Sequence, residues 1–428
     1  MIKAILNKLP TSQKFNTDVI WNIASFGIMG VSGIVLTLII AKFYGPATLG
    51  VFNLTYSVFI FLSQLVAVGI HLSILNSVVQ HMDHEKEIQT IMNAGIFSTV
   101  AISILILFVI YFVKDVFGVL FHSSGVVTSL VYILPGLFFF SLNKLLLSFH
   151  NACRRMKAYA VFQALRYIFL ISTLIYLVSI SFDSNKISII FTISELLLFL
   201  IVYIYSLRYV KPSFSKNIVY WCKEHIYFGF KAAIGNLLTV VNTRIDVLML
   251  GIFASDKTVG IYSLAAMFVE GFNQLPIVVR TNVNPILTKY KFQKSDEELR
   301  AVILKGRNLF YKLMIPLGIL AIILFPMIIY LLKLNKEFYN SYLSFSILMV
   351  GSLFSVGYKP FQMILNQAGY PGYQSLLVFL VFMMSVLLNS ILIPLLGMIG
   401  AAMATAISFV SIIFFLKILV RKTIGIRI

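Results

Sequence analysis

The chain has 428 residues, of which 60% are apolar and only 11% charged, with a formal charge of +19. A soluble domain carries about 25% charged residues, so this composition excludes an ordinary soluble fold. The excess of lysine and arginine comes without zinc-finger spacing or an aromatic-basic motif, so it speaks for basic membrane loops and against nucleic acid.

Residues 1–18 (MIKAILNKLPTSQKFNTD) are basic and weakly amphipathic and lack a cleavage site, which predicts a short surface helix or a plain tail. A membrane span needs about 20 apolar residues. About twelve such runs follow, at 18–41, 48–78, 90–112, 127–148, 160–180, 187–207, 226–252, 258–282, 308–332, 340–365, 373–394 and 399–420. The second is long for a single span and can tilt. The loop at 283–307 is mixed in charge and reads as an amphipathic surface helix.

Loop charges fix an orientation. With the N-terminus inside, only Lys42, Lys114, Lys186, Lys257, Lys333 and Lys336 fall in outside loops. Lys3, Lys8, Arg154, Arg155, Arg208, Lys216, Lys294, Arg300 and Arg421 are among the many inside. The loop with Asp83, Glu85 and Glu87 is acidic, but the rule counts lysine and arginine. Both termini are therefore expected in the cytoplasm. Cys153 and Cys222 form neither a disulfide framework nor a metal site.

The chain resembles itself at an offset of 210 residues. AKFYGPATLGVF at 41–52 lies over GIFASDKTVGIY at 251–262, and Phe43, Thr48 and Gly50 match Phe253, Thr258 and Gly260. Gln64–Leu65 likewise matches Gln274–Leu275. Both copies open the second span of a half. This predicts an all-α integral membrane protein of two pseudo-symmetric six-helix lobes: 1–207, a basic cytoplasmic linker at 208–225, and 226–428. Such halves are related by an axis along the membrane normal and enclose a central cavity.

An ionisable side chain inside hydrocarbon is costly unless it faces protein or water. The spans contain Lys144, Arg166, Glu195, Lys231, Arg244, Asp246, Glu270, Arg280, Lys312 and Lys359. Arg244 and Asp246 in span 7, and Glu270 and Arg280 in span 8, sit among Asn242, Asn273, Gln274, Asn282 and Asn284, with Pro276 and Pro285 nearby. Arg244 or Arg280 either lines a cavity or holds spans 7 and 8 together. Lys144, Arg166, Lys312 and Lys359 either face that cavity or snorkel to the inner interface. Asp246 and Glu270 either bind a coupling proton or sodium ion or compensate the arginines. The positive balance favours an anionic ligand, and arginine forks onto phosphate. No phosphate-binding glycine loop or metal cluster is present in the sequence, so no cofactor and no catalytic residue is expected. Tyr262 and Phe268 either stack on a ligand or simply pack.

Three stretches carry a resemblance: AKFYGPATLGVFNL at 41–54 with Gly69 beyond it, Asn389–Ser408 with Gly397, Gly400, Ala401 and Ala402, and GYPGYQ at 369–374. They are similar to the polysaccharide transporter branch of the multidrug/oligosaccharidyl-lipid/polysaccharide flippase superfamily. The resemblance implies a twelve-helix, multidrug-exporter-like fold in the bacterial inner membrane. It implies movement of an anionic undecaprenyl-pyrophosphate-linked glycan for O-antigen or capsule assembly, beside a polymerase and glycosyltransferases. Arg244 and Arg280 would grip the pyrophosphate, with Lys144, Arg166 and Lys312 behind them. A cation-coupled drug exporter of the same fold is the alternative. A membrane glycosyltransferase or polymerase is disfavoured, because the outside loops are short.

Overall fold

The computed structural model describes residues 13–213, 217–293 and 295–428. The expected surface helix therefore lies largely outside the described residues, with Lys3 and Lys8, as do Lys216 and Lys294.

The described chain is helical throughout, with no strand among the described residues. In chain order the helices are α1 (Gln13–Phe43), α2 (Gly45–Ala67), α3 (Ile70–Gln80), α4 (Glu85–Phe121), α5 (Ser124–Ala152), α6 (Met156–Ser179), α7 (Ile189–Ser206), α8 (Ile218–Val241), α9 (Ile245–Phe253), α10 (Asp256–Phe292), α11 (Asp296–Leu331), α12 (Ser341–Ser355), α13 (Ile364–Gln367) and α14 (Pro371–Ile424). Seven of the described helices are long and apolar enough to cross a membrane, or eight if one bent pair counts as a span. Each of the twelve apolar runs lies on a helix or on a broken pair.

Three breaks were not legible as such, and a fourth falls between the spans expected at 373–394 and 399–420. The run at 48–78 divides at Val68 and Gly69, both left-handed at φ 40° and 67°. The run at 226–252 divides before Ile245. The run at 340–365 bends by 55° around a short 3-10 turn, Lys359–Phe361. The last two spans share α14, which is interrupted at Gly397 (φ 57°, ψ −132°). Pro394 removes one ladder donor there. Gly400 then comes so near the Leu392 carbonyl that a Cβ would overlap it.

The expected surface helix at 283–307 is corrected. α10 runs to Phe292 and α11 starts at Asp296, so the loop is three residues long. Lys291 pairs with Asp296 at 3.1 Å across it. The amphipathic stretch is simply the first turns of α11. Leu299 and Ile303 are fully buried there, in a cluster with Leu287, Ile426 and Ile428.

The apolar core has a direction. One cluster runs through both halves, joining residues such as Leu49, Phe121 and Ile187 to Val259, Leu334 and Phe338. These flank the loops expected outside. Toward the other end the core divides into two: Ile74, Met92, Phe149 and Val202 in the first half, and Leu299, Phe361, Leu377 and Leu416 in the second. α8 is the exception to a clean division, because it packs chiefly on α2, α3 and α4. Its His225 bridges Ser73 Oγ at 2.8 Å and the Ile91 carbonyl at 3.0 Å.

Candidate functional site

The helix breaks place the polar side chains. Residues 242–244 interrupt the seventh span, and Arg244 sits at the N-cap of α9 with non-helical dihedrals. A non-helical backbone at membrane depth is tolerated where it borders protein or a cavity. Here it borders a cavity of about 160 Å³ whose walls come from α1, α2, α6, α7, α10 and the break itself, through Arg244. Gly30, Asn53, Tyr56, Tyr167, Arg244 and Glu270 are among its lining residues. The size is below the roughly 300–1,000 Å³ of a drug-sized ligand pocket.

Arg244 is 9% exposed. Its Nη2 meets Glu270 Oε2 at 2.8 Å, and its guanidinium lies 5.1 Å from the centre of the Tyr56 ring. Lining a cavity and tying span 7 to span 8 are thus not alternatives for Arg244, which does both. A guanidinium has five N–H donors, so one carboxylate contact leaves donors for a second anion. Asp246, two residues on, accepts a hydrogen bond from the Tyr262 hydroxyl at 2.6 Å. Tyr262 is fully buried, so it packs and holds Asp246 rather than facing open space.

Arg166 belongs to a second ion pair. Its Nε lies 2.7 Å from Glu195 Oε1, with both side chains largely buried. Asn143 donates to Glu195 Oε2 at 2.8 Å, and the Arg166 guanidinium stacks 4.8 Å from the Phe140 ring centre. Arg166 therefore turns into the bundle and does not snorkel. Lys144 donates to Gln64 Oε1 at 3.1 Å. Arg280 is partly buried on α10, and no carboxylate among the described residues lies within ion-pair distance of it. Lys312 is exposed on α11.

The structure thus brings Arg244 and Glu270 together at the cavity and leaves Lys144, Arg166, Asp246, Arg280 and Lys312 outside its lining. The described lining carries one arginine and one glutamate, so its formal charges cancel. The sequence counts charges but not their partners, so this pairing was not legible in it. Sequence reasoning missed Tyr56 and the role of Glu195. A lone carboxylate in the apolar stretch TISELLLF was the available signal, since such a group demands a buried cation.

Similarity agrees with this architecture. The model of a family described as "Polysaccharide biosynthesis protein" matches residues 16–291. No curated protein matches the chain in sequence. Among solved structures, the chain is similar to the lipid II flippase MurJ in an inward closed conformation, at 17% identity and a TM-score of 0.75, covering 94% of this chain and 87% of that one. It is also similar to an inward-facing multidrug resistance MATE family transporter of the MOP superfamily, at 13% identity and a TM-score of 0.71, covering 95% and 99%. A MOP superfamily transporter from Pyrococcus furiosus, noted for the reverse polarity of its binding pocket, aligns at 13% identity and a TM-score of 0.62 over 94% and 96%.

The fold is the all-helical, polytopic membrane fold of those MurJ and MATE family structures. The chain belongs to the polysaccharide biosynthesis protein family.

Proposed function

We propose that the chain flips undecaprenyl-pyrophosphate-linked oligosaccharide repeat units from the inner to the outer leaflet of the bacterial cytoplasmic membrane, for O-antigen or capsule assembly. The observation that carries this reading is Arg244. It is an arginine with spare donors at a helix break, facing a cavity between the two halves, in a member of a polysaccharide biosynthesis family. The pyrophosphate docks on Arg244, and the polyprenyl tail stays in lipid. Arg280, Lys144, Arg166 and Lys312 assist along the path. Asp246 and Glu270 are the carboxylate candidates for ion coupling, by protons or sodium. Lobes 1–207 and 226–428, joined by the linker 208–225, rock against each other, with both termini cytoplasmic. A polymerase and glycosyltransferases work beside it.

The second reading is a cation-coupled antiporter of drugs or metabolites. Glu270 favours it, because a carboxylate lines the same cavity beside Tyr56 and Tyr167.

Surface polysaccharide and membrane abundance of Arg244 variants decide between them. Arg244→Lys is expected to retain part of the export and Arg244→Glu to abolish it at normal abundance. Equal export by the two variants would refute the phosphate-binding role. A loss of drug tolerance with normal polysaccharide would support the second reading.

A further inference from the structure

Lys359 is a buried cation with no carboxylate partner among the described residues. It opens the 3-10 turn between α12 and α13, where the helix pair bends by 55°, and only 7% of its surface is exposed. Its ammonium donates to Asn273 Oδ1 on α10 and, at 3.0 Å, to Ser352 Oγ on α12. The Phe409 ring centre on α14 lies 4.7 Å away. Ser352 in turn donates to Asn273 Oδ1 at 2.6 Å. The sequence left open whether this lysine snorkels; it points into the bundle.

The arrangement has a counterpart. In the first half, Lys144 on the fourth span donates to Gln64 on the second. In the second half, Lys359 on the fourth span of that half donates to Asn273 on its second. Gln64 aligns at the 210-residue offset with Gln274, the neighbour of Asn273. In each half a lysine thus holds a side-chain amide on the helix that borders the cavity.

Next to Lys359 in the turn is Tyr358, which side chains of α11 and α14 contact; α10, which supplies Asn273, also carries Glu270 and Arg280. Arg307 and Lys417 are both engaged with Tyr358, the first through its hydroxyl at 3.0 Å and the second 5.1 Å from its ring centre. None of the carboxylates among the described residues lies within ion-pair distance of Lys359.

We propose that Lys359 is a proton-exchange site of the second half, loading and unloading one proton as the halves alternate. This rests on the transporter reading above and changes its coupling group. Protonating Glu270 would strand Arg244 without its counter-ion, and Asp246 is already held by Tyr262. Lys359 has only neutral partners, so its ammonium can pass a proton to water entering the bend and become a neutral amine, with no anion left unpaired. The neutral amine has two donors where the ammonium has three. The hold of α12 and the bend on Asn273 weakens with the proton gone, and α10, which carries Glu270 into the cavity, is released.

The test uses the full chain in proteoliposomes. Cys153→Ser and Cys222→Ser remove the native thiols, and spin labels at Phe43→Cys and Phe253→Cys, exposed and related by the repeat, report the separation of the two halves. Between about pH 5 and about pH 10, the range over which buried lysines titrate, the unsubstituted Lys359 protein should switch between two distance distributions. Lys359→Met should stay in the alkaline distribution at every pH and Lys359→Arg in the acid one. Asn273→Asp, which sets a carboxylate beside the ammonium, should move the transition to higher pH and covers the case in which Lys359→Met does not insert. A Lys359→Met protein that keeps the full pH response overturns the proposal, as does an Asn273→Asp protein with an unmoved transition. If the distance results hold while Arg244→Glu still exports polysaccharide, the proton site stands and the glycan reading falls. If Arg244→Glu abolishes export while Lys359→Met keeps the pH response, the glycan reading stands and the proton site falls.

Discussion

Gly50 and Gly260 lie at a close backbone crossing of α2 and α10 that leaves neither of them room for a side chain. A Cβ on Gly50 would overlap the Asp256 carbonyl oxygen, and one on Gly260 would overlap that of Pro46. Pro46 and Asp256 are themselves 210 residues apart, so the contact maps onto itself when the halves are exchanged. α2 and α10 are thereby closed at the end expected outside, where the core is continuous across both halves. At the other end Gly69 and Gly229 make a second backbone approach, between α8 and the break after α2.

Gly50→Ala is expected to part α2 from α10 or strain them. Overpacking costs about 1–3 kcal/mol. Because both glycines serve one crossing, the double variant with Gly260→Ala should cost clearly less than the two single changes added together. Thermal unfolding of the purified proteins measures this; strict additivity would mean that the two contacts are independent.

The Arg166–Glu195 pair predicts a charge-swap result. Removing one member of a buried pair costs about 3–5 kcal/mol, since the other charge is left unpaired. Glu195→Gln and Arg166→Gln should each lower membrane abundance and melting temperature. Arg166→Glu combined with Glu195→Arg should recover much of the loss. Single variants of wild-type stability would show the pair to be dispensable.

Glu270 is about one-third exposed, so its pair with Arg244 is partly screened and worth less than the buried one. Glu270→Gln should therefore destabilise the protein much less than Glu195→Gln. It should also give the cavity a net positive charge and strengthen protection by inorganic pyrophosphate against thermal unfolding. Unchanged protection would show that the freed guanidinium does not face the cavity.

His225 joins α8 to two helices of the first half. His225→Ala leaves Ser73 without that partner and the Ile91 carbonyl without a side-chain donor, at a cost of about 1–3 kcal/mol. Cross-linking between Cys222 and a cysteine at Ala94, whose carbonyl the Cys222 thiol contacts at 3.6 Å, should fall in this variant. Cross-linking at the wild-type rate would show that α8 is held by other contacts.

The positions of the spans were legible in the sequence because burial in hydrocarbon is decided segment by segment, by length and apolar content. The 210-residue repeat was legible for a similar reason: it is a pattern of residue types. The breaks at Val68–Gly69 and Lys359–Phe361 were not, since a break in an apolar run depends on which neighbours accept the freed backbone groups. Charge pairing was hidden in the same way. Arg166 and Glu195 are 29 residues apart, and nothing between them announces the contact.

The sequence by itself determined a polytopic helical membrane protein, a self-resemblance at a 210-residue offset, and the family to which it belongs. Only the tertiary structure decided which cations have partners. It gave Arg166 to Glu195 and Arg244 to Glu270, and left Lys359 to a neutral amide and a hydroxyl. The reason is physical: a charge in a low-dielectric interior is defined by what lies within a few ångströms of it, and packing of distant helices, not order along the chain, sets those distances.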